Sequence, residues 1–600
     1  MTTRVSTPQT VSINNESYRL AEDTRVHRRL SSQYPQKVVF GDVDKDSNPR
    51  SSVIIWDDFT DGVGLYVTDG REGLKRSQWS SLDTQYKGHL ILPPEDFQAA
   101  DPGVTGSVDE INELAGILYL ALVGGTDAYS WTPSDDTWSS KLHDFPAQVT
   151  DSLHFTLAGT AYVAFAHTGG FTYTSDGSTW TDDTTDALHL AFWDDRLWGI
   201  DNAGQLWFST TIGTEVNDAQ LPLPAGYVNG LFTGPDAQGN EILYAATEVG
   251  LYAHDAANSR FVRTGVQFPQ NTTAGKAATA WNGEIYISPG GMAVYRYNPL
   301  RGVFLSVGLD RDAGLPSNFR GDIERLIPVH NGLLAVQVDA TSDSIWLYNG
   351  RGWHFINQEG ADIESAHASD VNGTYRIYYA RLNRLRYREL RTGFVNPDED
   401  TITYDQITAT RHLITPWFNA GQNEIDKTAI RCRIDCTDMD SNHTVQVHYR
   451  LDYGSSYEST SFTVTSNGVT TRTFPNLGNS NSEAGSAFRA IQFRFILSSS
   501  VTNTQSPNVK SFSLEWRRKI PAKWAFTIDI DHRENIENRT PETQLDDLRT
   551  AIESSTLVEL SYRDREDNAE NYYVDILNAE IIEETGNEFE GVTRLTAVEM

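Results

Sequence analysis

Apolar and polar positions recur in one figure from about residue 50 to residue 390. An apolar run leads into a Gly, Asn or Asp turn, a second apolar run carries Trp or Tyr, and a polar turn follows. The figure reads AYSWTPSDDTW at 128–138, FTYTSDGSTW at 171–180 and LWFSTT from Leu206. It continues as LYAHDAANSRF from Leu251, VYRYNPLRGVF from Val294 and IWLYNGRGWHF from Ile345. The anchors advance by roughly 43 residues, and several short strands per unit at such a period predict the blades of a β-propeller. The predicted inner strands are ILYLALV near Leu118, AYVAFA at Ala161, LWGID at Leu197, ILYAAT at Ile242, EIYISP at Glu284 and LLAVQV at Leu333. VIIW at Val53 with GLYV at 64–67 reads as the first unit, and 375–390 reads as a last hairpin. Between them, an insertion at 90–114 ends in SVDEINELAG, which predicts a short helix. Seven blades with one hairpin shared at the ring closure, or eight full blades, both fit this count. Trp and Tyr fill the wide gaps between blades, and the Gly and Asp turns supply the positive φ of tight hairpins.

The figure stops near residue 400. Strand patterns at 445–453, 461–466, 490–497 and 510–519, separated by Gly/Ser/Asn-rich loops without helices, predict a β-sandwich. From 521 the pattern changes again. WAFTIDID at 524–531 reads as a strand, and Thr540-Pro541 opens a helix with Thr as N-cap and Pro at the first helical position. Leu545, Leu548 and Ile552 share one face of that helix, and three further strands follow. The expected protein is mainly β: an N-terminal segment 1–50 with a strand ending at Phe40, a seven- or eight-bladed β-propeller at 51–400, a β-sandwich at 401–520 and a small C-terminal α+β module at 521–600.

Composition narrows the function. Asp and Glu number 81 against 48 Lys and Arg, a formal charge of −33. Phosphate contacts need Lys and Arg, so nucleic acid is a poor partner for this chain. No apolar run is long enough to span a bilayer, and MTTRVSTPQTVSINN has no apolar core of a signal peptide. The two cysteines, Cys432 and Cys436, are four apart in RCRIDC. On a strand that spacing puts them on one face about 13 Å apart at ~3.3 Å per residue, too far for a disulfide. They read as small buried side chains, and no cofactor is expected.

The chemistry-bearing patterns are few. TSDGSTW at 174–180 resembles the Asp-box of sialidase-type propellers with one residue missing between Asp176 and Gly177, and SDDTW before Trp138 is more degenerate. The Asp caps a hairpin turn and the Trp packs between blades, a structural device. A sialidase would also need three arginines converging on a carboxylate; Arg260, Arg263, Arg296, Arg301 and Arg320 lie in this region. In GDVDKDSNP at 41–49, Asp42, Asp44, Asp46 and Asn48 alternate as oxygen ligands of calcium do, but Ser47 and Val53 stand where such a loop has Gly and Glu. This is the one metal candidate, and the other reading is a solvated acidic turn. There is no phosphate-binding Gly loop, GxSxG or HExxH, so no catalytic residue is nominated. Trp138, Trp180 and Trp353, with Trp207 and Trp346, either stack on sugars or pack between blades.

The strings KVVFGDVDKDSNPRSSVIIWDDFTDGVGLYV at 37–67 and SQWSSLDTQYKGHLILPP at 77–94 resemble the opening of propeller-bearing minor tail proteins of tailed viruses of bacteria and archaea. WAFTIDID, TPETQLDDLRTAI, YYVDILNAEIIEE and TRLTAVEM are similar to the ring-forming modules of tail proteins near the baseplate. FRAIQFRFILSSS and SPNVKSFSLEWRRK resemble the carbohydrate-binding-like sandwiches of such proteins. The resemblance implies a virion structural protein at the tail tip, assembled in the host cytoplasm. It implies other tail proteins as partners and several copies around the tail axis. It transfers no catalytic residues. Recognition of a host surface glycan or receptor is compatible with it, while a glycan-cleaving propeller and a cellular scaffold are the alternatives.

Overall fold

The computed structural model describes residues 10–21, 26–31, 52–68, 74–309, 315, 319–339, 342–360, 363–381, 384–391, 397, 402–404, 411–458, 461–475, 477, 485–501, 505–518, 523–563, 569–585 and 589–599. The strand expected to end at Phe40 lies outside them. Two compact units are present: residues 53–424 with 429–516, and residues 1–52 with 425–428 and 517–600.

The first unit contains a propeller of seven blades. Antiparallel sheets occupy residues 108–144, 149–183, 189–220, 228–267, 278–306, 322–359 and 363–389. The last sheet has three strands of its own and takes its outermost strand, Asp96–Gln98, from the other end of the propeller segment. This shared closure settles the choice left open by the sequence. The seam is held by polar groups: Arg386 donates to Asp96 at 2.7 Å and Tyr379 Oη donates to the same carboxylate at 2.5 Å. Burial pushes the Tyr379 phenol well above its ordinary range.

The apolar runs expected to line the axis are each the second strand of a blade. The innermost strands are Val108–Leu114, Val149–Leu157, His189–Trp193, Val228–Pro235, Ala278–Trp281, Asp322–Val329 and Ile363–Ser369, which neighbour one another in ring order. A second strand is covered by neighbouring blades on both faces, so Leu118–Leu122 and Leu333–Val336 are buried without alternation. SVDEINELAG is a strand as well. Val108, Ile111 and Leu114 have helical spacing, but a bulge between Val108 and Glu110 resets the alternation and gives the same apolar spacing on an extended chain.

The sandwich has two seven-stranded sheets and begins before the propeller. Ser52–Trp56, Val67–Thr68, Trp79–Ser80, Asp83–Tyr86 and His89–Ile91 all belong to it, so VIIW and GLYV form no blade. Trp56 lies in the sandwich core with ring centroids 5.9 Å from Phe493 and 5.8 Å from Phe512. A strand's alternation does not reveal which sheet it joins when the partners lie more than 350 residues away. Cys432 and Cys436 are free and fully buried in the same core, which pushes both thiols up to about 12.

In the second unit, Glu16–Leu20, Thr10–Ile13, Val558–Arg563, Ala569–Glu584, Gly591–Glu599 and Lys523–Asp531 pair in that order, and the last pairs back to the first, closing a six-stranded barrel. His27–Ser31 adds to the side of Lys523–Asp531. The expected helix is Pro541–Ile552, where the Thr540 hydroxyl accepts from the Thr543 N–H and Leu548 and Ala551 are buried. The N-terminal strands of this barrel replace the separate segment expected at 1–50. In chain order the three modules are nested: barrel strands enclose sandwich strands, which enclose the propeller.

Candidate functional site

The propeller axis is built by one local device. At or next to the start of five inner strands the pairing register breaks just after an apolar residue: after Val108, Val149, Val228, Ile323 and Ile363. A bulge leaves one residue out of the ladder and turns its side chain aside. In four blades that side chain bridges to a neighbouring blade. Gln148 donates to Asp109 at 2.6 Å, Thr150 donates to the Leu188 carbonyl at 2.8 Å, Asn229 donates to the Ala274 carbonyl at 2.7 Å, and Lys276 pairs with Glu324 at 3.0 Å. The sequence signal was present as VDE, VTD, VNG and IER at inner-strand starts, and a search for alternation passes over it.

The residue after the bulge points into the network on the axis. Arg325 of the sixth blade reaches past the seventh to Glu110 of the first at 2.5 Å, and its guanidinium also donates to the Glu364 carbonyl at 3.4 Å. Ser152 donates to the other Glu110 oxygen at 3.2 Å, and Asn112 donates to Ser152 at 3.2 Å. Burial raises the Glu110 carboxyl above its usual range against the pull of Arg325. Half-buried His367 is lowered to about 4 by desolvation, then by His154. Arg325 is the one arginine on the described inner strands, and it is engaged with Glu110. Arg260 and Arg296 pair within their own blades, with Asp255 and Glu284. Three arginines converging on the axis are therefore not formed among the described residues.

The nominated side chains fall as follows. Asp42, Asp44, Asp46 and Asn48 lie outside the described residues. Trp353 is buried and its Nε1 donates to the Val307 carbonyl, so its ring offers no face to a sugar; Trp207 and Trp346 are buried too. Close packing between strands and blades accounts for these three. Trp138 is half-buried and donates to the Ala100 carbonyl at 2.8 Å. Trp180 is half-buried among Tyr119, His143, Phe145 and Phe165. The turn before it is structural. Asp176 accepts from the backbone N–H of Thr179 and Ser178, which hold its carboxyl well below the usual range. At Gly177 (φ +71°) a Cβ would collide with Tyr119 Oη.

The barrel offers a different kind of surface. Ala569–Glu584 is 16 residues long, but Val558–Arg563 pairs only with residues 569–574. From Asp575 onward the strand pairs on one side only, with Gly591–Glu599, and its other edge has no strand neighbour among the described residues. Leu577, Ile581 and Ile582 on that length are exposed, each by more than 40%.

No protein-family model matches the chain, and no curated protein matches it. Solved structures share only the propeller character. Virginiamycin B lyase from Staphylococcus aureus is 10% identical with a TM-score of 0.39, over 50% of this chain and 99% of that one. The extracellular domain of the two-component system BT4673 from B. thetaiotaomicron is 10% identical with a TM-score of 0.36, over 58% and 44%. A chain of the mitotic checkpoint complex is 15% identical with a TM-score of 0.35, over 50% and 92%. These proteins differ in function, so the likeness extends to a mainly-β propeller architecture and no further.

Proposed function

We propose that this chain is a structural protein of a tailed virus, carried at the tail tip or baseplate, where it assembles with copies of itself and with other tail proteins. In this reading the chain is not an enzyme, and its propeller and sandwich serve contact with the host surface. The observation that carries the reading is the half-paired strand of the barrel. An exposed edge with apolar side chains invites pairing by another chain, and soluble proteins ordinarily blunt such edges with charge or cover. Leu577, Ile581 and Ile582 supply the apolar contact, with Asp575, Glu580, Glu583 and Glu584 alongside them on the same length of strand. The strings that resemble tail modules point the same way. A glycan-cleaving role has no comparable support, because Arg325 at the axis is engaged by Glu110.

Two measurements test this. Immunogold electron microscopy of particles, with an antibody to the propeller, is expected to label the tail tip; unlabelled particles would overturn the virion assignment. Light scattering of the purified chain is expected to show an oligomer that Ile581→Lys with Leu577→Asp reduces to a monomer. An oligomer unaffected by that pair would remove the edge as the assembly surface.

A further inference from the structure

The outer face of one sandwich sheet carries a cluster that neither the core nor the propeller accounts for. Strand His443–Leu451 sends Val445, Val447 and Tyr449 into the core and Gln446, His448 and Arg450 outward. Strand Ile491–Ser499 sends Phe493 and Phe495 inward and Arg494 outward, with buried Gln492 on the same side as Arg494, His448 opposite Arg494 and Arg450 opposite Gln492. Tyr457 lies over this face. The Arg494 guanidinium is 4.0 Å from its ring centroid and that of Arg450 is 5.0 Å away. Arg450 is also 5.0 Å from the Trp417 ring, Trp417 is 4.9 Å from Tyr453, and Tyr453 stacks on Tyr66 at 6.4 Å. Rings and cations thus form one ladder, from half-buried Arg494 to the exposed rings of Tyr453 and Tyr66.

Two features of the ladder bear on what it could bind. Acids greatly outnumber bases in the sequence, yet neither Arg450 nor Arg494 meets a carboxylate among the described residues; Arg450 donates instead through Nε to Gln492 Oε1 at 2.6 Å and through Nη1 to the Ser455 carbonyl at 3.3 Å. In addition, Tyr457 Oη, His448 Nε2 and Arg494 Nε are buried with no hydrogen-bond partner among the described residues. Buried donors are normally matched, and guanidinium groups select planar carboxylates. We propose that this face binds an acidic oligosaccharide. The rings of Tyr66 and Tyr453 take the apolar face of one sugar, and Arg450 and Arg494 take the carboxylate of another. The contacts run from Tyr453 through Trp417, Arg450 and Tyr457 to Arg494, so the sugar-stacking rings and the cations belong to one continuous surface. The proposal deepens the host-surface part of the reading above and rests on it for its biological setting.

The test is isothermal titration calorimetry of the full chain with oligogalacturonate and with oligomers of N-acetylneuraminic acid. Neutral galactose oligomers and inorganic phosphate serve as comparisons. At least one carboxylated oligomer is expected to bind, ten or more times tighter than the neutral one. Arg494→Gln with Arg450→Gln is expected to weaken it at least tenfold. Tyr453→Ala, at an exposed ring, is expected to weaken it several-fold while the unfolding midpoint stays put, so a folding defect is not mistaken for a binding one. Failure of both carboxylated oligomers to bind, equal binding of the neutral oligomer, binding of phosphate alone, or indifference to Tyr453→Ala and the arginine pair would each overturn the proposal. Unlabelled particles would leave this binding result standing, and absent binding would leave assembly through the barrel edge standing.

Discussion

At the propeller axis Arg325 meets Glu110 at 2.5 Å in a network that also takes in Ser152 and Asn112. On the sandwich, Arg494 lies over Tyr457 with no acid beside it and its Nε unmatched among the described residues. Both arginines sit on the non-core side of a strand, and their surroundings assign them opposite work. A guanidinium locked to a buried carboxylate ties blades together and has little left to offer a ligand. One resting on a ring keeps its charge and its planar donors free. The difference shows why a count of arginines near a propeller mouth says little about anion recognition, and why the partner of each one says much.

The largest effect expected from breaking this comparison is at the axis. Arg325→Met leaves Glu110 buried without its cation, and removing one member of such a pair costs about 3–5 kcal/mol. Denaturant unfolding should show this loss, and Arg325→Met with Glu110→Gln should recover most of it. A single-variant loss under about 1 kcal/mol would show that the pair does not hold the ring.

A second effect concerns a buried group that stays neutral. His354 of the sixth blade shares 2.7 Å with Thr84 Oγ1 of the sandwich and 3.0 Å with Asn349, and burial lowers it to about 4. Its folded pKa is depressed, so the unfolded chain binds the extra proton first as pH falls. The stability it contributes is present in full above about pH 6.5 and is lost toward pH 4, on the order of 1 kcal/mol per unit. Unfolding followed against pH should show this slope in the wild-type chain and a flatter one in His354→Gln. Equal slopes would refute the assignment.

The smallest effect is the counterpart at the sandwich. Arg494→Gln should change stability by less than about 1 kcal/mol, as expected for a cation over a partly exposed ring. A loss matching that of Arg325→Met would make the cluster structural and erase the contrast.

Much of the fold was legible because its signals are local. The blade hairpins announce themselves through turn residues and a third-strand aromatic, as at Trp131, which packs on Tyr378 and Tyr387 of the adjoining blade. The helix is announced by Thr540-Pro541. Pairing over long separations was not legible. VIIW satisfies the pattern of a blade strand and of a sandwich strand equally, and only Phe493 and Phe512, more than 430 residues on, decide between them. The bulged inner strands escaped because a bulge breaks the period that reveals strands. The aromatic candidates Trp138, Trp180 and Trp353 were drawn from the repeat itself, and residues that recur with a fold are mostly there to build it. The sandwich ladder follows no repeat. Arg450 and Arg494 lie 44 positions apart and meet only through the register of two strands.

The nesting of the modules sets an order of events during synthesis. Thr10–Ile13 and Glu16–Leu20 leave the ribosome first, yet their partners, Val558–Arg563 and Lys523–Asp531, are made more than 500 residues later. Loop closure over such a span is slow, whereas each blade needs only its own hairpins and its neighbours. The propeller is therefore expected to be finished while the first strands still wait. The half-paired edge of Ala569–Glu584 comes into being only when the barrel closes. A chain that stops before residue 523 could display a ring of blades but would lack the strands that close the barrel.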